Sequence, residues 1–169
     1  GRWEAYLISL LTLLKLFLLM NFKLLGAAAL LAGLAKTVVA MPFDPLIGTW
    51  KVIDDRTGYY VSEIVIRKNS KTQQYSAVVS KHYPAAGAVN PDVCGKCEGA
   101  LKNQPIFGME VLKGMTGNYK QFKQGQWLNT QDGRTYTIEA QLNDAKDQMK
   151  VFGKAQQSNS TSAMTWKKL

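Results

Sequence analysis

The stretch RTYTIEAQL, residues 134–142, alternates without a break: Tyr136, Ile138, Ala140 and Leu142 are separated by Thr135, Thr137, Glu139 and Gln141. Successive side chains of an extended strand point to opposite faces, so this pattern reads as a strand with one face in a core and one in water. A helix would scatter the same apolar residues around its circumference. In YVSEIVIRK, residues 60–68, Ile64 and Ile66 share one face, and Glu63 and Arg67 the other, with Val61 and Val65 on their side. Further β-rich runs lie near 48–53, 73–81, 107–113, 121–129, 148–154 and 162–168. DDRTG, KNSKT, TGN, QDGR, LNDAKD and QSNS stand between them as turn formers. No segment after residue 40 carries a helical stripe. The prediction is an all-β domain of about eight antiparallel strands in up-and-down order. Closing such a sheet into a barrel removes its exposed edges. A sandwich is the alternative, and a five-stranded nucleic-acid-binding barrel has too few strands. Only one connection is long, roughly residues 82–106.

The first forty residues are of another kind. MNFKLLGAAALLAGLAKTVVA begins with a short basic start, Met20 to Lys23, continues with an uncharged run from Leu24 to Ala35, and ends with Val38 and Ala40 at the positions a signal peptidase reads. Residues 20–40 are therefore expected to be a helical signal peptide cleaved after Ala40, with 41–169 as the β-domain. No cysteine follows the cut to carry a lipid. Residues 1–19 read as an upstream extension from a start assigned too early. The rival is a membrane anchor over residues 5–35, which Lys15 and Lys23 interrupt. A lysine in mid-bilayer costs about 2.5–3.5 kcal/mol on the insertion scale. The expected location is the periplasm or outside the cell.

The whole chain carries a formal charge of +9, and residues 41–169 hold 17 basic against 11 acidic side chains. This favours solubility and loose contact with anionic envelope surfaces. KGMTGNYKQFK interleaves Lys113, Lys120 and Lys123 with Tyr119 and Phe122, a mixture that can bind single-stranded nucleic acid. Export argues against that partner, and a turn between two strands accounts for the composition.

Several motifs fall in order along the β-domain. DPLIGTW supplies a G-x-W at Gly48 and Trp50, and DDRTG follows. PDVCGKCEGALKNQPIFGMEVL joins C-x-x-C-x-G to P-I-x-G-M, GQW precedes DGRTYTIEAQL, and Trp166 stands near the end. Together they resemble an uncharacterised secreted bacterial family, domain of unknown function 2147, over the whole of residues 41–169. The resemblance implies a lipocalin-like barrel in the periplasm or outside the cell, and no established reaction. One departure is the approach to the last strand, GKAQQSNSTSAMTWKKL. It is polar and ends in Lys167 and Lys168, where the family tends to an apolar approach and W-x-R. A looser closing connection is expected from it.

The only two cysteines, Cys94 and Cys97, admit three readings. A closed zinc site needs about four ligands, and the chain adds only His82, with Asp92 and Glu98 nearby. A redox pair wants a stabilised thiolate; Lys96 would help and Glu98 would oppose. A structural disulfide suits an exported chain with an even cysteine count, as a clip on the long loop. No metal site or cofactor motif is read elsewhere. Asp54 and Asp55 are better placed for a hairpin turn than for acid–base work. Glu110 sits among apolar residues and either enters the barrel or faces water. His82 reads as a surface histidine.

Aromatic residues in a barrel are core or cavity wall, and about eight strands enclose either a filled interior or room for one small ligand. Trp50, Tyr60, Ile64, Trp127 and Tyr136 are the candidate lining. The leading expectation is a non-enzymatic, secreted, lipocalin-like protein that binds a small, mostly apolar molecule. The alternatives are an envelope module that meets a protein partner through the 82–106 loop, and a thiol redox accessory protein acting through Cys94 and Cys97.

Overall fold

A computed structural model describes residues 2–32 and 43–169. They belong to two compact units, one on each side of Pro42. The first is a single helix, α1 (Arg2–Ala32), with apolar side chains such as Trp3, Leu7 and Phe17 in solvent. Among the described residues no helix is long and apolar enough to cross a membrane. The cleavage point expected after Ala40 lies outside the described residues.

The second unit is a closed antiparallel barrel. Its strands are β1 (Gly48–Asp54), β2 (Tyr60–Lys68), β3 (Tyr75–His82), β4 (Glu110–Asn118), β5 (Gln121–Leu128), β6 (Thr135–Leu142), β7 (Gln148–Ala155) and β8 (Thr161–Lys168). Each pairs with the next in sequence, and β8 returns to β1. The alternation in 135–142 is realised directly: Tyr136, Ile138, Ala140 and Leu142 are buried and the residues between them are not. A strand begins later than expected in one place. The run near 107–113 is displaced to 110–118, so TGN lies inside β4 and the turn falls on Tyr119 and Lys120. Tyr119 has φ of 62°, the left-handed conformation a two-residue hairpin requires. The expected loose closing connection is also corrected. β8 keeps regular register with β7 from Thr161 to Lys167 and with β1 from Met164 to Lys168.

Up-and-down order puts three connections and both chain ends of the barrel at its base, and four connections at its mouth. At the base lie the turns after β2, β4 and β6, together with the incoming segment 43–47 and the C-terminus. At the mouth lie the turns after β1, β5 and β7, together with the long loop 83–109. The base is shut by Leu46, which has no exposed surface. Its carbonyl accepts the Trp50 indole N–H at 2.8 Å. Asp44 holds the same segment from the other side, accepting the Leu46 N–H at 3.0 Å and the Tyr75 hydroxyl at 2.7 Å. The Lys168 ammonium donates to the carbonyls of Pro45 and Ile47, and burial keeps its pKa below the ordinary lysine value. The second lysine after Trp166 is therefore a latch on the base.

Because the plug is one side chain packed against a rigid ring, Leu46→Ala leaves a gap that the strands cannot close. It is expected to cost about 3 kcal/mol, in the usual range for a buried leucine. Urea unfolding of the variant beside the parent measures this.

Candidate functional site

Of the five residues expected to line a cavity, four face inward. Trp50, Ile64, Trp127 and Tyr136 are 0, 0, 2 and 3 % exposed. Tyr60 is a correction, being half exposed on the outer wall. Val61 is inserted between the pairs Val52–Ser62 and Ile53–Tyr60. Such a bulge shifts the alternation, so Val61 is buried and Tyr60 is not. The Tyr60 ring lies 4.5 Å from the Lys51 ammonium and edge-on to Tyr83 at 5.7 Å.

The four inward residues do not enclose space. Trp127 packs on Trp166 with ring centroids 5.2 Å apart. Trp50, Ile64, Met115, Ile138, Met149 and Trp166 have 0 % exposure, so no water-sized sphere fits against them from inside or out. At Gly125 even a methyl group would stand 2.7 Å from a carbon of Ile138. The ring of eight strands is narrow enough for side chains to fill it, and here they do. The Tyr136 hydroxyl is committed as well, donating to the Asp132 carboxylate. Burial, with that carboxylate, holds its pKa above the ordinary tyrosine value.

Room is found at the mouth instead. Cys94 and Cys97 are joined, with Cα atoms 5.4 Å apart, and both are buried in the core cluster with Ile106 and Met109. Cys94 anchors the loop by two backbone bonds of 2.9 Å, its N–H to Gln104 and its carbonyl from Asn103. The clip rests on the β5–β6 turn: Cys94 Sγ is 3.7 Å from the Thr130 carbonyl oxygen. A side chain at Gly133, which has φ of +74°, would meet the Lys96 carbonyl oxygen at 1.8 Å. Only glycine lets the two segments approach so closely. Of the three readings of the cysteines, this placement favours the structural one. Both sulfurs are spent in the bridge and shielded from an attacking thiolate.

Two hollows border the clip. One of about 430 Å³ is walled by Ala85, Ala86, Val89, Val93 and Ile106, with Gly95, Lys96 and Thr130 beneath. The other, of about 350 Å³, is bounded by Cys97, Leu101, Leu128, Arg134 and Gln156. A third hollow, of about 730 Å³, lies on the outer wall of β4 to β7 between Lys123, Gln141, Lys150 and Phe152 and is more polar than the 430 Å³ one. None of these three is lined by Trp50, Ile64, Trp127 or Tyr136.

His82 also borders the 430 Å³ hollow. It is half-buried rather than a plain surface histidine, and its Nδ1 finds no hydrogen-bond partner among the described residues. Burial lowers its pKa, with the Pro91 backbone and Asp92 opposing. Sequence reasoning missed it because the loop that follows it, with Thr130 and Gln131 of the β5–β6 turn, gathers around the same hollow only in the tertiary structure. The remaining candidates have structural roles. Asp54 accepts the Arg56 N–H at 3.1 Å in the β1–β2 turn, and Asp55 accepts the Thr165 hydroxyl at 2.6 Å. Glu110 faces water beside Lys113.

Comparison with known proteins places this geometry. The model of a family described as an uncharacterized protein conserved in bacteria, domain of unknown function 2147, matches residues 48–168. The chain belongs to that family. No curated protein matches it. A solved structure, protein HP1028 from the human pathogen Helicobacter pylori, described as belonging to the lipocalin family, superposes with a TM-score of 0.57. The match has 16% identity over 73% of this chain and 82% of that one. The likeness shows the fold: the family's barrel here is lipocalin-like.

Two outcomes follow from the mouth. Without reductant, neither Cys94 nor Cys97 should be alkylated, and reduction should lower stability by about 2 kcal/mol, the chain-entropy value for so short a loop; mass spectrometry and urea melts read both. A depressed His82 pKa means that the folded state prefers neutral imidazole. Stability is full above the ordinary histidine pKa and falls as pH drops through the lower folded value. Melts at pH 7.5 and 5.5 should show this loss, and His82→Gln should reduce it.

Proposed function

We propose that this is an exported, non-enzymatic, lipocalin-like protein that binds a small, mostly apolar molecule at the mouth of its barrel rather than in the lumen. The observation that carries this reading is the 430 Å³ hollow beside the clip. Its volume falls in the few-hundred-Å³ range of small-molecule sites. Its walls include Ala85, Ala86, Val93 and Val89, and Val89 is 91% exposed. Covering Val89 with an apolar body would remove that surface from water, a favourable transfer. The Thr130 and Gln131 edge suits one polar end of such a molecule. The filled lumen offers no comparable space.

The envelope location is supported by the three-part segment at residues 20–40 and by the disulfide, which persists in oxidising compartments. The clip has a plain use here. It narrows the conformations of the longest connection, so a binding wall made of loop costs less order when a ligand arrives.

The single histidine is a built-in reporter because it borders the hollow. Titration with neutral N-phenyl-1-naphthylamine should shift the His82 imidazole NMR signals saturably. Val89→Asp should weaken that response at least tenfold, while Trp127→Phe leaves it intact. A response abolished by Trp127→Phe and not by Val89→Asp would return the site to the lumen. No shift at His82 would sink the mouth reading and leave a protein partner of the 82–106 loop as the better account.

A further inference from the structure

A second surface is independent of the mouth. Strand register places Lys167 of β8 opposite Lys51 of β1, Lys51 opposite Glu63 of β2, and Glu63 opposite Lys81 of β3. Lys167, Lys51 and Glu63 face outward, because their strand neighbours Trp166, Trp50 and Ile64 point into the core, and Lys81 is exposed. Neighbouring strands are about 4.8 Å apart, so the row runs about 14 Å along the wall. Like charges directly opposed across a strand pair destabilise a sheet, and Lys51 with Lys167 is such a pair. Glu63 offsets only part of the row's charge, one carboxylate against three ammonium groups; it accepts the Tyr83 hydroxyl at 2.7 Å and is within ion-pair distance of none of the three. No ion pair among the described residues includes Lys51, Lys81 or Lys167. Lys150 on the neighbouring strand β7 is by contrast 3.7 Å from Asp55. Beside the row stand two rings: Tyr60 lies under Lys51 at 4.5 Å and Tyr83 under Lys81 at 5.0 Å.

This combination has a physical logic. Three ammonium groups without carboxylate partners sit on long flexible stems that can bend toward a charged plane. Tyrosines beside them carry an apolar body and a polar tip, the character favoured at membrane–water interfaces. No described hollow opens between them that would hold one compact anion. We propose that the β8–β1–β2–β3 wall seats the barrel on a bilayer surface bearing anionic phospholipid headgroups, with Lys51, Lys81 and Lys167 as the contacts. Headgroup phosphates would relieve the repulsion between Lys51 and Lys167 that the free fold carries. Each lysine near an anionic leaflet contributes about fivefold in affinity.

The test is residue-resolved lysine acetylation of the full chain, read by mass spectrometry. The apolar α1 is able to hold the chain to vesicles of any kind, so total binding is not the readout. Vesicles of phosphatidylglycerol and phosphatidylcholine in equal parts should slow acetylation of Lys51, Lys81 and Lys167 several-fold, and pure phosphatidylcholine vesicles should not. Lys113 and Lys123, on β4 and β5 across the barrel, should label at the same rate throughout. Lys51→Gln with Lys167→Gln should abolish protection of Lys81, while Lys113→Gln with Lys123→Gln, an equal change of charge, should leave it. Equal protection of both walls, equal protection by neutral vesicles, or the same loss from both double variants would overturn the proposal. Protection by soluble polyphosphate as strong as by anionic vesicles would also overturn it, in favour of a free polyanion. None of these outcomes bears on the mouth site.

Discussion

Along the seam between β1 and β8, the backbone of Trp50 to Asp54 pairs with that of Met164 to Lys168 in antiparallel register. Without that seam both strands would present unpaired N–H and C=O groups, a template for aggregation. With it the sheet has no edge, and its circumference is set by eight strands. A ring of that size has an interior only a few side chains wide. Large inward residues then decide everything inside it. Trp50, Trp127, Trp166, Met115 and Met149 are buried with almost no surface open to a water-sized sphere, and the space that a lumen site would need is gone.

The ends follow from the same closure. Up-and-down order gathers alternate connections at opposite ends, so one end receives the incoming segment and the other receives the long loop. At the base, the Trp50 indole ties Leu46 down as a plug. At the mouth, the disulfide and the close approach at Gly133 seat the loop on the β5–β6 turn. Binding is displaced from the inside of the barrel to its rim and outer wall. There the loop walls a hollow of its own, and strand register lines up charges on the opposite faces of inward tryptophans.

Most of the barrel was legible in the sequence because a half-buried strand writes its two faces into alternate residues, as in 135–142. Where reading failed, a local device was responsible. TGN has turn composition, yet Gly117 and Asn118 are strand and the hairpin bends one step later at Tyr119. Tyr60 has the parity of Ile64, but the inserted Val61 turns it outward. The polar run before Trp166 looked loose, and its strand is regular because backbone pairing is indifferent to polar side chains on the wet face. Trp50, Ile64, Trp127 and Tyr136 are buried in the interior, but none of them borders any of the three hollows described. His82 was misjudged because the path by which the loop after it folds back beside it is irregular and leaves no periodic signal in the sequence.

The sequence by itself determined the fold class, the strand count, the inward face of the strand at 135–142 and the pairing of the only two cysteines as the favoured reading. These depend on periodicity and composition, which are local. Whether the inward faces meet or leave a gap was decided by the tertiary structure alone, because it depends on the summed volumes of side chains from all eight strands. The same is true of the mouth hollow and of the row formed by Lys51, Lys81 and Lys167. Their members are far apart in the chain, and only strand register brings them side by side.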